Sequence, residues 1–483
     1  MTQLTLMLSQ LILLPIQIRQ WGQADTALWN SALAIATLTY FVDGGLRTAG
    51  HSELIKANAD PSSFPVERLQ FQRIWSWIRI LILAVTALLI SADFLRERFW
   101  SLSPYPAWHG VLILACSAET VLTIRITYLD SLGSYRSAEA SYFCFAALRL
   151  GLSIPALLIF HCKAPGLAII YLFTALVALL AQGLWLCRTK PLLRLNEKVV
   201  SLSWRSLALA RYTVAEPIAN WTRLSLPVLV ISQIASPMAV NTYVALRAVF
   251  GAARTTIQQL ARVASVEVLK ARTQGQPKRA ETLLTLFVTL AICLGSSLSF
   301  LVVIDNLRIL GLYIKHFDRP LFQQVALAFS LTAPFFSYQI PMNLMFRTGE
   351  LAWVARRHYG FIAYALLFGA ISLLLKSLPV YLALLVAAEM LLSITFFAPG
   401  SAKTILSASQ SGTAAIRLAA STSVVICLLW LLSHNNAGGW FLGEGAAPVL
   451  MSTVLFAGST LTMAFTLYLS RRSDLLSLAS LIH

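Results

Sequence analysis

Seven arginines fall inside stretches that are otherwise apolar: Arg79, Arg125, Arg149, Arg223, Arg247, Arg254 and Arg262. An ionisable side chain at membrane depth costs about 2.5–3.5 kcal/mol on insertion scales, so such a group normally faces a bundle interior or a water-filled cavity. Arginine adds a constraint of its own. Its planar, permanently charged fork grips phosphate or carboxylate with two parallel hydrogen bonds, which a lysine ammonium does not do. Arginines of this kind, with no clearly buried lysine among them, point to recognition of an anion.

The richest stripe lies between residues 239 and 268. With Arg247 as zero and about 100° per helical residue, Arg254 falls at about −20°, Gln258 at about 20°, Gly251 at about 40°, Arg262 at about 60° and Ser265 at about 0°. One wedge therefore carries three arginines and a glutamine. Gly251 either leaves space on that wedge or serves close helix packing. Arg247 and Arg262 are near enough to the ends to snorkel to an interface, whereas Arg254 is not. A second stripe, Thr213, Glu216, Asn220 and Arg223, precedes Pro227. It is read either as an ion pair between helices or as a ligand contact.

Further polar groups follow helical spacing elsewhere. Gln3, Gln10 and Gln17 recur every seven residues near the N-terminus. Asp43 and Arg47 flank Gly44-Gly45-Leu46 four residues apart, close enough to pair on one helix face. Glu119, Thr123 and Asp130 share a face, with Arg125 about 120° away and turned toward another neighbour, a candidate being the helix that carries Arg149. Glu389 is the only clear intramembrane acid beyond residue 268, and Gln339 and Asn343 form a polar pair beside Pro341.

The elements that must position these residues follow from composition. Hydrophobic residues make up 58% of the 483, and charged residues only 12%, about half the share in soluble domains. The chain reads as an all-α polytopic membrane protein. At about 20 apolar residues per spanning helix, it accommodates about fourteen spans joined by short connectors. The first two are expected near 2–18 and 26–46, the seventh and eighth near 212–235 and 239–268, the tenth near 320–345, and the last two near 414–433 and 447–470.

The excess of basic connectors on one side of this map, above all Arg188, Lys190, Arg194, Lys198, Arg205 and Arg211, makes that side cytoplasmic and places both termini there. The basic connector 188–211 divides an N-terminal lobe, 1–187, from a C-terminal lobe, 212–400, followed by 401–483 with two further spans. Short echoes support two parallel repeats: Glu53-Leu54-Ile55-Lys56-Ala57 against Glu267-Val268-Leu269-Lys270-Ala271, and Ala24-Asp25-Thr26 against Val240-Asn241-Thr242.

Several classes are excluded. The net charge of +17 is spread over short loops beside apolar spans, where topology and anionic lipids account for it, so nucleic acid is not expected. The six cysteines lack metal-type spacing and read as small hydrophobes. No glycine loop, His/Glu metal spacing or long extramembrane loop offers an active site, so the chain is not expected to be an enzyme or to hold a cofactor.

The six-plus-six-plus-two plan, the Asp43-Gly44-Gly45-Leu46 element and the run from Leu226-Pro227-Val228-Leu229-Val230-Ile231 to Tyr243-Val244-Ala245-Leu246-Arg247 resemble the Wzx-type polysaccharide or O-antigen flippases of the multidrug/oligosaccharidyl-lipid/polysaccharide (MOP) exporter superfamily. The short first span departs from that pattern. The resemblance implies a bacterial inner-membrane protein that moves an undecaprenyl-pyrophosphate-linked oligosaccharide across the bilayer by alternating access. Spans 1, 2, 7 and 8 would border its lumen. The substrate-contacting candidates are then Arg254, Arg247, Arg223, Arg262, Gln258, Asn220, Gln10 and Gln17, and the gating or coupling candidates Asp43, Arg47, Glu119 and Glu216. Protons or sodium are the candidate coupling ions; membrane lipids, a polysaccharide polymerase and other assembly proteins are the candidate partners. Competing expectations are a lipid II-type flippase, a cation-coupled multidrug exporter of the same fold, and a membrane polymerase or ligase.

Overall fold

The computed structural model describes residues 2–41, 45–47, 64–100, 107–131, 134–189, 210–304, 319–347 and 350–397. Asp43, the Glu53–Ala57 echo, most of the 188–211 connector and the two spans expected beyond residue 400 lie outside the described residues, as does the side chain of Gln10. Among the described residues, eight helices are long and apolar enough to cross a membrane. Large apolar side chains also cover the outside: Leu83, Ile159, Phe160, Leu180, Leu184 and Leu374 are each exposed by more than 60%. Water would penalise such a surface and lipid does not. The chain is a multi-pass membrane protein.

It divides into two compact units, Met1–Ala245 and Leu246–His483. The first unit opens with α1 (Thr2–Ala36), broken at Gly22, whose φ of 82° suits a residue without a Cβ. The first two expected spans are therefore joined at one glycine. A 3-10 turn, Thr37–Phe41, continues α1. Next come α2 (Phe64–Trp100), α3 (Trp108–Ser131), α4 (Tyr135–Leu158) and α5 (Ala164–Thr189). The seventh expected span is two helices, α6 (Ala215–Leu224) and α7 (Leu226–Ile234). Proline explains the break: Pro227 has no N–H to donate to the Arg223 carbonyl four residues earlier.

A tryptophan cluster holds α1 to α3 and α5. Trp29 stacks on Trp108 at 5.4 Å and meets Tyr171 and Trp21 edge-on, above Leu112, Ile113, Leu167 and Ala168. Such pairs add about 0.5–1.5 kcal/mol each beyond the area they bury. On its other side, the end of the α1 segment meets residues 210–213: Thr213 donates to the Gly45 carbonyl at 2.9 Å. Gly45 is required there twice over, by its φ of 80° and because an added Cβ would press on the Ala210 carbonyl oxygen and the Val214 nitrogen.

The helix α8 (Pro237–Thr273) crosses from the first unit into the second and is continuous throughout. After it come α9 (Pro277–Ile304), α10 (Arg319–Thr332), a 3-10 segment (Ala333–Tyr338), α11 (Gln339–Arg347), α12 (Leu351–Leu375) and α13 (Leu378–Phe397). The tenth expected span is thus interrupted at its middle. Pro334 cannot donate to the Ser330 carbonyl, and the Ser299 hydroxyl of α9 takes over that acceptor at 2.9 Å. Close approach makes this possible, since an added Cβ at Gly295 would collide with the Ala333 carbonyl. Phe250 of α8 stacks on Phe329 of α10, and Tyr338 on Phe396 of α13.

Candidate functional site

The seven arginines separate by environment. Arg79 and Arg262 are exposed, Arg125 and Arg247 half-buried, and Arg149, Arg223 and Arg254 buried. The exposure of Arg79 and Arg262 fits snorkelling side chains. Arg125 is accounted for by the helix beside it: its Nη1 donates to the Leu179 carbonyl of α5 at 3.2 Å.

Arg149 is held by charge. Its Nη2 lies 2.7 Å from Glu119 Oε2, both side chains being about one-tenth exposed. The guanidinium also sits 4.3 Å from the ring centres of Phe145 and Tyr171. Three helices meet in this pair: α3 supplies Glu119, α4 supplies Arg149 and Phe145, and α5 supplies Tyr171. A buried ion pair with aromatic faces on the cation is a neutral object, and each partner satisfies most of what the other lost from water. Glu119 is therefore tied to Arg149 and not to Arg125 on its own helix.

The α8 stripe is built differently. From Pro237 to Val266 the helix carries three arginines and no acid of its own. Its buried positions Leu246, Phe250, Ile257, Ala261, Ala264 and Val268 form one face, on which Phe250 stacks on Phe329. Arg254, only 8% exposed, lies at the edge of that face. Arg247, Gly251 and Gln258 occupy the half-buried flank beside it, and Arg262 the exposed side beyond. The stripe is thus graded from packed to open. Among the described residues, a Cβ added at Gly251 would meet nothing within 4 Å, so this glycine leaves space on the wedge. Arrayed this way, the side chains present a permanently charged fork beside an open step, suited to a phosphate-type anion with neutral donors around it.

The remaining candidates lie on other elements, in the first unit. Asn220 Oδ1 accepts from Arg223 Nη1 at 3.4 Å, one turn along α6, and Glu216 is half-buried on the same helix. Gln17 is buried in α1, and Arg47 is half-buried. Among the described residues, no group of three His, Cys, Asp or Glu could hold a metal ion. Sequence reasoning did not single out Asn30 or Gln23, which form a buried amide network with Asn241. The Ala24-Asp25-Thr26 and Val240-Asn241-Thr242 echo was the signal for it.

Two solved structures share this architecture. An inward-facing multidrug resistance MATE family transporter of the MOP superfamily superposes with a TM-score of 0.63 over 88% of this chain and 96% of that one. The fold is shared with that transporter. Lipid II flippase MurJ, in an inward closed conformation, matches with a TM-score of 0.57 over 94% of this chain and 99% of that one. Each is 12% identical to this chain. No family model and no curated protein matches the sequence. Both of these solved structures are of transport proteins. At this identity the likeness defines the fold; substrate chemistry has to be argued from the side chains.

Proposed function

We propose that this protein flips a polyprenyl-pyrophosphate-linked oligosaccharide across the bacterial inner membrane by alternating access, through a cationic cavity lined by α8. The observation that carries the reading is Arg254, a buried arginine on an unbroken, acid-free stretch of membrane helix beside the open step at Gly251. Arg254 and Arg247 hold the pyrophosphate, Gln258 hydrogen-bonds the sugars, and Arg262 meets the anion nearer the interface. Arg223 with Asn220, Gln17 and Gln10 supply further polar contacts along the path.

In this reading the chain is organised as two six-helix lobes, 1–187 and 212–400, with a cytoplasmic linker and two C-terminal spans that accommodate the polyprenyl tail. Both termini are cytoplasmic. Asp43, Arg47 and Glu216 gate or couple the movement to protons or sodium. Glu119 takes part only through its pair with Arg149. A polysaccharide polymerase is the natural recipient of the product.

Lipid II is the second reading, because it presents the same pyrophosphate on the same class of tail and MurJ shares the fold. A multidrug exporter for cations fits less well, since an arginine stripe repels them. The test is Arg254→Ala beside Arg254→Lys at equal protein level. The reading predicts loss of surface glycan and accumulation of its lipid-linked precursor in the alanine variant, with partial activity in the lysine variant. Normal export by both contradicts it, and accumulation of lipid II in place of the glycan precursor moves the assignment to the second reading.

A further inference from the structure

The two sides of α1 near its Gly22 break are bonded by different chemistry. Trp29 faces the aromatic cluster of α3 and α5 described above. Asn30, the next residue and about 100° around the helix, faces the start of α8. Its Nδ2 donates to Asn241 Oδ1 at 3.2 Å, while Asn241 Nδ2 donates to Gln23, at 2.9 Å to the backbone carbonyl and 2.7 Å to Oε1. Asn241 is 1% exposed and Asn30 is buried with it. All these residues belong to the first unit.

Further along the same seam the polar links involve an indole and hydroxyls. Trp221 Nε1 donates to the Ala34 carbonyl at 2.9 Å, and Thr37 Oγ1 lies 3.2 Å from Ser225 Oγ. The amide network is therefore concentrated at one end, where the chain turns. Trp21 Nε1 donates to the Cys162 carbonyl in the α4–α5 connection, and His161 Nδ1 lies 2.9 Å from Gln20 Oε1. The Gly22 break, the α4–α5 turn and the α7–α8 turn thus meet there.

Neutral amides at an end flanked by the exposed Gln20, His161 and Lys163 suit a contact that opens and closes. When such a seam parts, each amide exchanges a protein partner for water at little net cost, whereas a parted apolar or aromatic face does not. Conversely, while closed and dry, the network resists opening, because any one group left alone is an orphan. We infer that Gln23, Asn30 and Asn241 form a latch that holds this end of the α1–α8 seam shut, and that the seam opens between α1 and the 210–241 segment while α1 stays with α3 and α5. The inference is independent of which molecule is carried.

Thiol accessibility in the full-length protein tests it. In membrane vesicles, with the six native cysteines replaced by alanine, one reporter is Thr26→Cys, fully buried on the Gln23 and Asn30 face of α1. The other is Ser117→Cys, buried against Thr86 between α2 and α3. A membrane-impermeant maleimide is added to each face in turn. Asn241→Leu and Asn241→Asp, both lacking the amide donors, should raise labelling of Thr26→Cys about tenfold and leave Ser117→Cys unchanged. Unchanged labelling at Thr26→Cys overturns the latch. So does an equal rise at both reporters, which means general loosening, or a rise with leucine alone, which means a bulk effect.

Discussion

Two buried arginines, Arg149 of α4 and Arg254 of α8, differ in what their own helices and neighbours place beside them. Arg149 meets a carboxylate at 2.7 Å and two aromatic faces, all supplied by neighbouring helices of its own unit. Arg254 stands on a helix that contributes two more arginines and no acid between residues 237 and 266, next to open space at Gly251. A charge whose counter-ion is built in holds helices together. In the proposed reading, a charge arrayed with like charges serves to bind a ligand.

The sharpest way to break this contrast is to remove one half of the pair. Arg149→Met leaves Glu119 buried without its cation and should cost about 3–5 kcal/mol of stability, seen as a large fall in Tm of the detergent-solubilised protein. Glu119→Leu combined with Arg149→Met should recover most of it, because an apolar pair of similar volume replaces a neutral ion pair. If the double variant is as unstable as the single one, the pair is more than structural.

A smaller effect is expected where backbone meets backbone. Gly295→Ala drives a Cβ into the Ala333 carbonyl and should cost about 1–3 kcal/mol by overpacking. Ser299→Ala leaves the Ser330 carbonyl without the hydroxyl that replaces Pro334's missing N–H, and about 1 kcal/mol should follow. Thermal unfolding of both variants checks the order. At the bottom of the scale, Arg79→Ala should change Tm by no more than a degree or two, since exposed positions contribute within about 0.5 kcal/mol. A large fall there would blur the line between snorkelling and buried arginines.

Much of this fold was legible in the sequence, because apolar length is a one-dimensional property. The long continuous helices α2 to α5, α9, α12 and α13 follow from hydropathy alone. The interruptions were less so. Pro227 and Pro334 mark where a helical bond is missing, but whether the helix bends or breaks depends on the partner that takes the stranded carbonyl, as Ser299 does. The joining of the first two expected spans at Gly22 depended on one backbone conformation.

Within the site, spacing places the α8 residues on one wedge of an unbroken helix, but it does not give their grading from packed to open. That grading follows the burial of Phe250, Ile257 and Ala261 on the face beside Arg254. The Glu119–Arg149 pair spans 30 residues. No helical-wheel argument brings two helices together at that register. The same holds for Asn30 and Asn241, 211 residues apart, where only the repeat echo hinted at proximity.

The central claim, that Arg254 serves a ligand and Arg149 serves the fold, is tested most directly by equilibrium binding to the purified protein. The probe is a short-chain prenyl-pyrophosphate-linked glycan, measured by calorimetry on the wild type, Arg254→Ala and the Glu119→Leu/Arg149→Met double variant. The account predicts at least about tenfold weaker binding for Arg254→Ala, the loss of one charge-assisted contact, and wild-type affinity for the double variant. Undiminished binding by Arg254→Ala, with binding lost in the double variant, would contradict it.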